Sequence, residues 1–316
     1  MTSGHPSTAP WVSTPGTYLG IDIGGTKVAA RMEVGNTAYE AEARWPPYAP
    51  DPERDLAVIG DLVERLGPRD RCAAVGVASA ATLDGGGRVV AWPNRPSWIG
   101  FDLVAALRSR LGTLIDGAPV HVADDGGLAA LAEAHAVRCP DLAYLGVGTG
   151  VGGGLVMDGE LFAGGAAVEL GHLIVHPGGP ACACGRDGCL QATASGPATL
   201  RRAAARRGAP VTAEELVTAA DQGEAWAAGT LAQTARALAL AVTSLTEIVR
   251  PRRIHIGGGF GAAAPGLVPG VAAHVATLAR TGRPAPLIAP AALGPRSSLL
   301  GALLYARNAQ LVEVAG

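Results

Sequence analysis

The sequence predicts an α/β protein of two domains, each built on a mixed β-sheet. The chain has 316 residues, about twice the size of a typical domain of roughly 150 residues. Short apolar runs alternate along it with segments in which apolar residues recur at helical spacing. Apolar residues make up 48% of the chain and glycine contributes 45 residues. This composition favours packed cores over disorder and is typical of helices lying close against sheets.

The first part of the chain supplies one α/β unit. Tyr18–Ile23 is a short apolar strand that stops at Gly24-Gly25, and Val28–Met32 is predicted to pair back on it as a hairpin. Glu53–Leu66 has apolar residues at helical spacing and ends at Gly67-Pro68. The next predicted elements are a strand at Cys72–Ala78, a helix at Phe101–Leu111, a strand at Val120–Ala123 and a helix at Gly127–Ala136.

A second unit opens in the same way. Leu142–Val147 is a predicted strand, Gly148–Gly154 a glycine-rich turn, and Leu155–Met157 a returning strand. The later elements are helices at Ala213–Ala219 and Trp226–Val249, a strand at Arg253–Ile256 and a terminal helix from Ser297 to Ala306. The two strand–turn–strand openings predict two similar halves.

The predicted domains follow from this order. Residues 1–17 are Ser/Thr/Pro-rich and predict a disordered tail, without the basic start and apolar run of a signal peptide. Residues 18–125 form a small domain to which the helix 297–316 returns, and residues 126–296 form a large domain. No long apolar window predicts a membrane span. The net charge of −2 argues against nucleic acid as the main partner. We expect a cytoplasmic protein.

Two glycine-rich turns predict a polyphosphate site. In Asp22–Lys27 the glycines let backbone N–H groups approach an anion, and Thr26 and Lys27 add a hydroxyl and a positive charge. Gly148–Gly154 repeats the device with Thr149. Either turn alone is equally explained as a tight hairpin, but one in each domain can grip a single polyphosphate from both sides.

The nucleotide site therefore takes a particular form. A strand, not a helix, follows Gly148–Gly154, which excludes a Rossmann motif, and no Gly-Lys-Ser/Thr follows to make a P-loop. What remains is the actin–hexokinase (ribonuclease H-like) fold, with a cleft between two domains. The nucleotide-binding residues predicted on this basis are Asp22, Gly24, Gly25, Thr26, Lys27, Gly148, Thr149, Gly150, Gly257, Gly258 and Gly259.

A metal site is predicted by one histidine and three cysteines within 18 residues: His172, Cys182, Cys184 and Cys189. Three thiolates and an imidazole are a frequent set for structural zinc and leave no open position on the metal. Gly185 and Gly188 permit the tight turns that such a loop needs. The alternative is a loop of free thiols with a chance histidine. Cys72 and Cys139 lie in apolar surroundings and are predicted to be inert.

Together these motifs resemble the ROK family of bacterial sugar kinases and sugar-responsive repressors, from about Tyr18 to Ala306. Glu169–His172 and Cys182–Cys189 match its E-x-G-H and C-x-C-G-x-x-G-C signatures, and Asp22–Lys27 matches its first phosphate motif. Ala123–Glu133 stands where the family has E-N-D-A-N-A-A-A-L-G-E.

The resemblance implies an ATP- and Mg²⁺-dependent sugar kinase in which Asp125 is the catalytic base and the zinc is structural. Phosphoryl transfer needs positioning, charge neutralisation and a base near the attacking hydroxyl. The competing interpretation of Asp125 is a helix N-cap, and the two roles are compatible. The sugar-binding residues implied are Asp124, Asp125, Glu169, His172, Gln191, Ser79 and Asn94. His172 would offer one ring nitrogen to zinc and the other to a sugar hydroxyl.

Three positions depart from the family pattern. Asp124 replaces an Asn that contacts the sugar near its 3-hydroxyl, Gln191 replaces a sugar-binding Glu, and Ser79-Ala80 replaces Pro-Gly. Adjacent acids at 124 and 125 repel unless a cation lies beside them. We therefore expect an amino sugar. Kanosamine (3-amino-3-deoxyglucose), phosphorylated at its 6-hydroxyl as in aminoshikimate antibiotic pathways, fits best, and the alternatives are glucose or a C7-cyclitol.

A sugar-sensing regulator without catalytic activity is the competing class. Only 17 residues precede Tyr18, which is too few for a DNA-binding domain, and Asp125 and both phosphate turns are present. Trp92 and Trp98 are explained equally well as a sugar-pocket lining and as loop packing, while His255 is expected to be structural. The resemblance further implies a homodimer.

Overall fold

The computed structural model describes residues 16–46, 50–68, 70–162 and 167–314. Most of the predicted disordered tail, residues 1–15, lies outside these described residues. The described chain divides into two compact units. Unit 1 comprises the described residues up to Leu128 and those from Ser298 onward, and unit 2 comprises Ala129–Ser297.

The strands are β1 (Thr17–Ile23), β2 (Lys27–Val34), β3 (Thr37–Arg44), β4 (Ala74–Ser79), β5 (Thr82–Leu83), β6 (Val89–Ala91), β7 (Val120–Asp124), β8 (Leu142–Val147), β9 (Val151–Met157), β10 (Glu160–Leu161), β11 (Arg253–Gly257) and β12 (Leu287–Pro290). The helices are α1 (Pro52–Arg65), α2 (Leu103–Leu111), α3 (Asp125–Ala136), α4 (Leu190–Ala194), α5 (Gly196–Arg207), α6 (Ala213–Asp221), α7 (Ala225–Ile248), α8 (Gly259–Ala263), α9 (Leu267–Leu278) and α10 (Ser297–Val314).

Unit 1 is built on a mixed sheet, as the sequence predicts. Its strand order is β3-β2-β1-β4-β7. Strand β2 pairs antiparallel with both β1 and β3, whereas β1, β4 and β7 run parallel. The apolar side of α1, with Ile59 and Leu62 fully buried, packs into the core of this sheet. Parallel strands bring their carboxyl ends to one edge of the sheet, where ligands bind in folds of this class.

Helix α10 packs against unit 1 because two glycines in the sheet remove the side chains that would keep it away. A Cβ atom at Gly76 of β4 would lie 1.8 Å from the carbonyl oxygen of Ala302, and one at Gly20 of β1 would lie 3.1 Å from that of Leu299. Neither position therefore accepts a larger residue without moving the helix.

Unit 2 repeats the arrangement of unit 1, which confirms the prediction of two similar halves. Its strand order is β10-β9-β8-β11-β12, with an antiparallel β8–β9 hairpin and β8, β11 and β12 running parallel. The 24-residue helix α7 lies in its core, with Leu238 and Val242 fully buried.

A buried carboxylate ties together three segments of unit 2. Glu133 of α3 accepts hydrogen bonds from His255 Nδ1 (2.6 Å), the N–H groups of Ala292 (2.7 Å) and Leu293 (3.0 Å), and Ser297 Oγ (2.7 Å). Burial alone would raise the pKa of Glu133, but these donors, led by His255, hold it below its usual value. The predicted structural role of His255 is confirmed.

The second glycine-rich turn is shorter than predicted. The turn covers Gly148–Gly150, and Gly152–Gly154 belong to β9, so the predicted turn Gly148–Gly154 is wrong in its second half. Strand pairing explains these glycines, since a Cβ at Gly153 would lie 2.2 Å from the carbonyl oxygen of Tyr144. Among the described residues no helix is both long and apolar enough to cross a membrane.

Candidate active site

The acidic residues of unit 1 lie where its parallel strands end. Asp22 is the penultimate residue of β1, Asp124 ends β7, and Asp125 begins α3. Ser79 at the end of β4 lies between them in the register, opposite Ile23 on one side and Asp124 on the other. The predicted catalytic and phosphate-binding acids are therefore gathered on one edge of one sheet.

Asp124, and not Asp125, caps helix α3. Asp124 Oδ2 accepts a hydrogen bond from the N–H of Gly127 at 2.9 Å, the geometry of an N-cap. This corrects the interpretation of Asp125 as the cap. The cap fixes the carboxylate of Asp124, and an Asn here could accept the same bond through its amide oxygen.

Asp22 and Asp125 are both costly to ionise at this edge of the sheet. The pKa of Asp22 is raised to about 7, chiefly by burial and further by the charge of Asp125, against the lowering effect of the Lys27 ammonium. Burial likewise raises the pKa of Asp125, against the lowering effect of the Gly126 N–H. Two half-buried carboxylates of this kind are suited to taking up a proton or lying against a cation near neutral pH.

The first glycine turn joins β1 to β2. Gly24 N–H donates to the carbonyl of Lys27 at 3.0 Å, and the side chain of Thr26 is exposed at the tip. The Lys27 ammonium lies 2.6 Å from Glu42 Oε2 on the neighbouring strand β3. Sequence reasoning missed this partner because it did not predict β3. Lys27 thus pairs with Glu42 and also lies close enough to Asp22 to lower the pKa of that carboxyl.

The remaining predicted residues of unit 1 fall into two groups. The side chain of Asn94 lies against Gly25, where a Cβ would be 2.9 Å from Nδ2. The Ser79 hydroxyl is fully buried and bonded to the backbone of Ala81, so it shapes a turn, and its contact with sugar stays a prediction. Trp92 and Trp98 are buried in the core, which decides between the two interpretations in favour of packing.

In unit 2 the second and third glycine groups lie side by side. Gly148 N–H donates to the carbonyl of Gly150, and Gly148 in turn accepts from Gly196 N–H, each at 2.9 Å. Gly258 has a φ of +79°, and a Cβ on it would lie 2.6 Å from the backbone of Val147. The exposed Thr149 stands at the tip of the turn.

The four predicted metal ligands converge in unit 2. The ligand atoms of His172, Cys182, Cys184 and Cys189 all lie within 4.8 Å of one another. His172 Nδ1 is 3.7 Å from Cys182 Sγ, and Cys184 Sγ is 3.6 Å from Cys189 Sγ. Zn–S bonds of about 2.3 Å at tetrahedral angles place sulfurs about 3.8 Å apart. The donor set therefore fits a zinc ion in both chemistry and spacing.

The loop that carries these ligands turns at the glycines that the sequence indicated. Gly185 and Gly188 have φ values of +86° and +74°, and a Cβ at Gly188 would lie 1.8 Å from the carbonyl oxygen of His176. All five cysteines are free. Burial raises the pKa of Cys72 to about 12, in agreement with its predicted inertness.

The sugar-binding residues predicted in unit 2 adjoin the metal ligands. Glu169 Oε2 lies 3.8 Å from His172 Nε2, the ring nitrogen that faces away from Cys182. Gln191 Nε2 donates to Cys182 Sγ at 3.5 Å, and its amide oxygen lies against Gly150, where a Cβ would be 3.1 Å away. Gln191 therefore contacts both a predicted metal ligand and the second glycine turn.

Comparisons with known proteins identify the family of the chain. The ROK family profile matches residues 18–309. The chain is 50% identical over 296 residues to the kanosamine kinase of Amycolatopsis mediterranei, covering 92% of this chain and 95% of that one.

Solved structures show the same fold. The ROK hexokinase of Thermus thermophilus has a TM-score of 0.80 at 32% identity, covering 95% of this chain and 100% of that one. The ROK glucokinase of Streptomyces griseus, solved with glucose and AMPPNP, has a TM-score of 0.78 at 28% identity, covering 93% and 100%. The predicted actin–hexokinase type of fold is confirmed, and the chain belongs to the ROK family as an ATP-dependent sugar kinase.

Proposed function

We propose that this protein transfers the γ-phosphoryl group of ATP to the 6-hydroxyl of an amino sugar, kanosamine, giving the 6-phosphate. The observation that carries the substrate is the 50% identity, over 92% of the chain, to the kanosamine kinase of Amycolatopsis mediterranei. The carboxylate of Asp124 supports it, because a negative charge next to the proposed base is suited to bind an ammonium group.

In the proposed reaction Asp125 accepts the proton of the 6-hydroxyl while the sugar oxygen bonds to the γ-phosphorus and ADP leaves. Its raised pKa suits a general base acting near neutral pH. Asp124, fixed by its bond to Gly127, would hold the 3-amino group. Glu169 and the Nε2 atom of His172 would bind sugar hydroxyls.

The ATP phosphates would be bound by the backbone N–H groups and hydroxyls of the two turns, Gly24–Lys27 and Gly148–Gly150, and adenosine would lie against Gly257–Gly259. Mg²⁺, when bound with ATP, neutralises charge that develops on the transferring phosphoryl group. Asp22 is suited to hold this ion. Charging its half-buried carboxylate is costly, which raises its pKa to about 7, and a bound cation would offset that cost.

We propose further that His172, Cys182, Cys184 and Cys189 hold a structural zinc ion. The support is the spacing of their ligand atoms, all within 4.8 Å. Metal analysis of the purified protein is expected to give one zinc per chain, and removal by a chelator should lower the melting temperature. Less than one tenth of an equivalent of zinc in fresh protein would contradict this proposal.

The substrate is tested by comparing kcat/KM for kanosamine and glucose in the wild type and in Asp124→Asn, with ADP release as the assay. The wild type should prefer kanosamine. Asn keeps the helix cap but loses the charge, so the preference should fall about 10- to 100-fold, as for loss of one charged hydrogen bond. NMR of the product should show the phosphate on the 6-oxygen.

Asp102→Asn is the matched control, because Asp102 caps α2 in the same way through the N–H of Ala105 and should leave the preference unchanged. A wild type that prefers glucose would overturn the choice of substrate. An unchanged preference in Asp124→Asn would overturn only the role of Asp124. ADP release without any phosphorylated sugar would overturn the kinase reaction as written.

A further inference from the structure

One tryptophan in unit 1 is bonded to the first phosphate turn at two points. Trp45, the residue after β3, donates its indole N–H to the carbonyl of Gly24 at 2.8 Å and its backbone N–H to the carbonyl of Thr26 at 3.2 Å. A trans peptide points its C=O and the following N–H in opposite directions. The indole therefore holds the Gly24–Gly25 peptide with the Gly25 N–H facing away from Trp45.

Trp45 is itself held by a buried ion pair. The guanidinium of Arg95 lies 4.2 Å over the Trp45 ring, and Arg95 is only 5% exposed. Arg95 pairs with the fully buried Asp55 of α1, whose Oδ2 also accepts the indole N–H of Trp98 at 2.9 Å. A desolvated cation over an indole ring is among the stronger aromatic contacts in proteins. The buried Arg95–Asp55 pair thus fixes the position of the Trp45 ring.

The loop that carries Arg95 also contacts the first glycine turn directly. Asn94, the neighbour of Arg95, places its amide against Gly25. Residues 94 and 95 therefore touch both ends of one peptide, Asn94 directly at Gly25 and Arg95 through Trp45 at Gly24. A shift of this loop would therefore alter the orientation of the Gly24–Gly25 peptide.

The second half of the molecule fixes the equivalent peptide by other means. Gly148, like Gly24, is the first residue after a strand and opens a three-residue turn. Its carbonyl accepts a hydrogen bond from Gly196 N–H at 2.9 Å. In each half the carbonyl at this position is engaged, by a backbone N–H in one and by a tryptophan side chain in the other.

We propose that Trp45 is a positioning residue for ATP: its indole N–H, supported by Arg95, orients the Gly24–Gly25 peptide toward the nucleotide phosphates. This inference rests on the proposed function of the turn. Trp45 touches neither substrate and acts through Gly24.

The test is Trp45→Phe, which keeps a ring beneath Arg95 and removes only the donor. The KM for ATP should rise about 3- to 10-fold, the effect of one neutral hydrogen bond, while the KM for the sugar changes less than twofold. The dissociation constant of AMPPNP, measured calorimetrically, should rise to a similar extent. The matched control is Trp98→Phe, which removes an indole donor from Asp55 in the same cluster and should lower stability without raising the KM for ATP.

An ATP KM in Trp45→Phe within twofold of wild type would overturn the inference, and so would an equal rise in Trp98→Phe, which would indicate general loosening. Arg95→Lys keeps a positive charge beside Asp55 but loses the planar guanidinium that stacks on Trp45. It serves as the second variant should Trp45→Phe not fold. The dissociation constant of AMPPNP without sugar reports on Trp45 even if no sugar is phosphorylated, which separates failure of this inference from failure of the proposed function.

Discussion

The acids at the edge of the unit 1 sheet should make the protein less stable than it could be, and Asp125→Asn exposes this cost. Asp22 has its pKa raised from 3.8 to about 7, first by burial and then by the charge of Asp125. Between these two values the native state binds more protons than the unfolded chain. Stability therefore falls as pH rises through this window and levels off above about 7.

The size of the effect follows from the shift. At about 1.4 kcal/mol for each pKa unit, the whole displacement of Asp22 corresponds to roughly 4 kcal/mol. Because burial is the larger cause and part of the carboxylate is solvated, the share of Asp125 is about 1 kcal/mol. The melting temperature of Asp125→Asn should then exceed that of wild type by about 1–2 °C at pH 8. The difference should shrink toward pH 5, where Asp22 is protonated.

The activity should move in the opposite direction. Loss of Asp125, the proposed general base, should lower kcat by about 10²–10⁴-fold. The melting temperature is measured from pH 5 to pH 8.5 in magnesium-free buffer without chelator, so that zinc is retained, with Asp102→Asn as control. The reasoning is refuted if Asp125→Asn melts at or below the wild-type temperature at pH 8, or if it keeps kcat within threefold.

Two further outcomes are expected in unit 2. Gln191→Glu should release zinc to a colorimetric chelator several times faster than wild type, because a carboxylate would replace the amide that donates to the Cys182 sulfur; the exposed Gln222→Glu is its control, and equal release rates would contradict the contact. Glu133→Gln should lose about 2–4 kcal/mol of unfolding free energy at pH 7, because an amide N–H₂ would meet buried donors. The lowered pKa of Glu133 means that its contribution is complete above pH 4.5 and lost below it, so the gap in denaturant midpoints should narrow at pH 4, unlike that of the exposed Glu224→Gln.

The elements that the sequence predicted best are those with an apolar run and a clear stop. The β1–β2 and β8–β9 hairpins and helix α1 belong here. Helix α9 was missed because Pro269 and Gly270 suggest a break, although proline is tolerated in the first turn of a helix. Strand β3 was missed because most of its residues are exposed. What holds β3 is its pairing with β2, including the ion pair of Lys27 with Glu42.

The candidate site divides in the same way. Residues in short motifs, such as the predicted metal ligands and Asp22–Lys27, could be proposed from the sequence because the pattern and the chemistry lie within a few positions of one another. The cap formed by Asp124 was assigned to its neighbour, since adjacent acids before a helix are both plausible caps. Arg95 and Asp55 gave no signal, because they are 40 positions apart and only the fold makes them partners.

The two glycine turns proposed to bind phosphate are supported by different kinds of contact. The second turn is supported by backbone contacts, through the N–H of Gly196 and the positive φ of Gly258. These positions therefore require glycine. The first turn is supported by side chains, Trp45 and the buried pair beneath it. An indole donor can be replaced during evolution by another group that reaches the same carbonyl, whereas a glycine with a Cβ clash cannot. We therefore expect nucleotide affinity in this fold to be adjusted at the first turn, while the second stays fixed by its backbone.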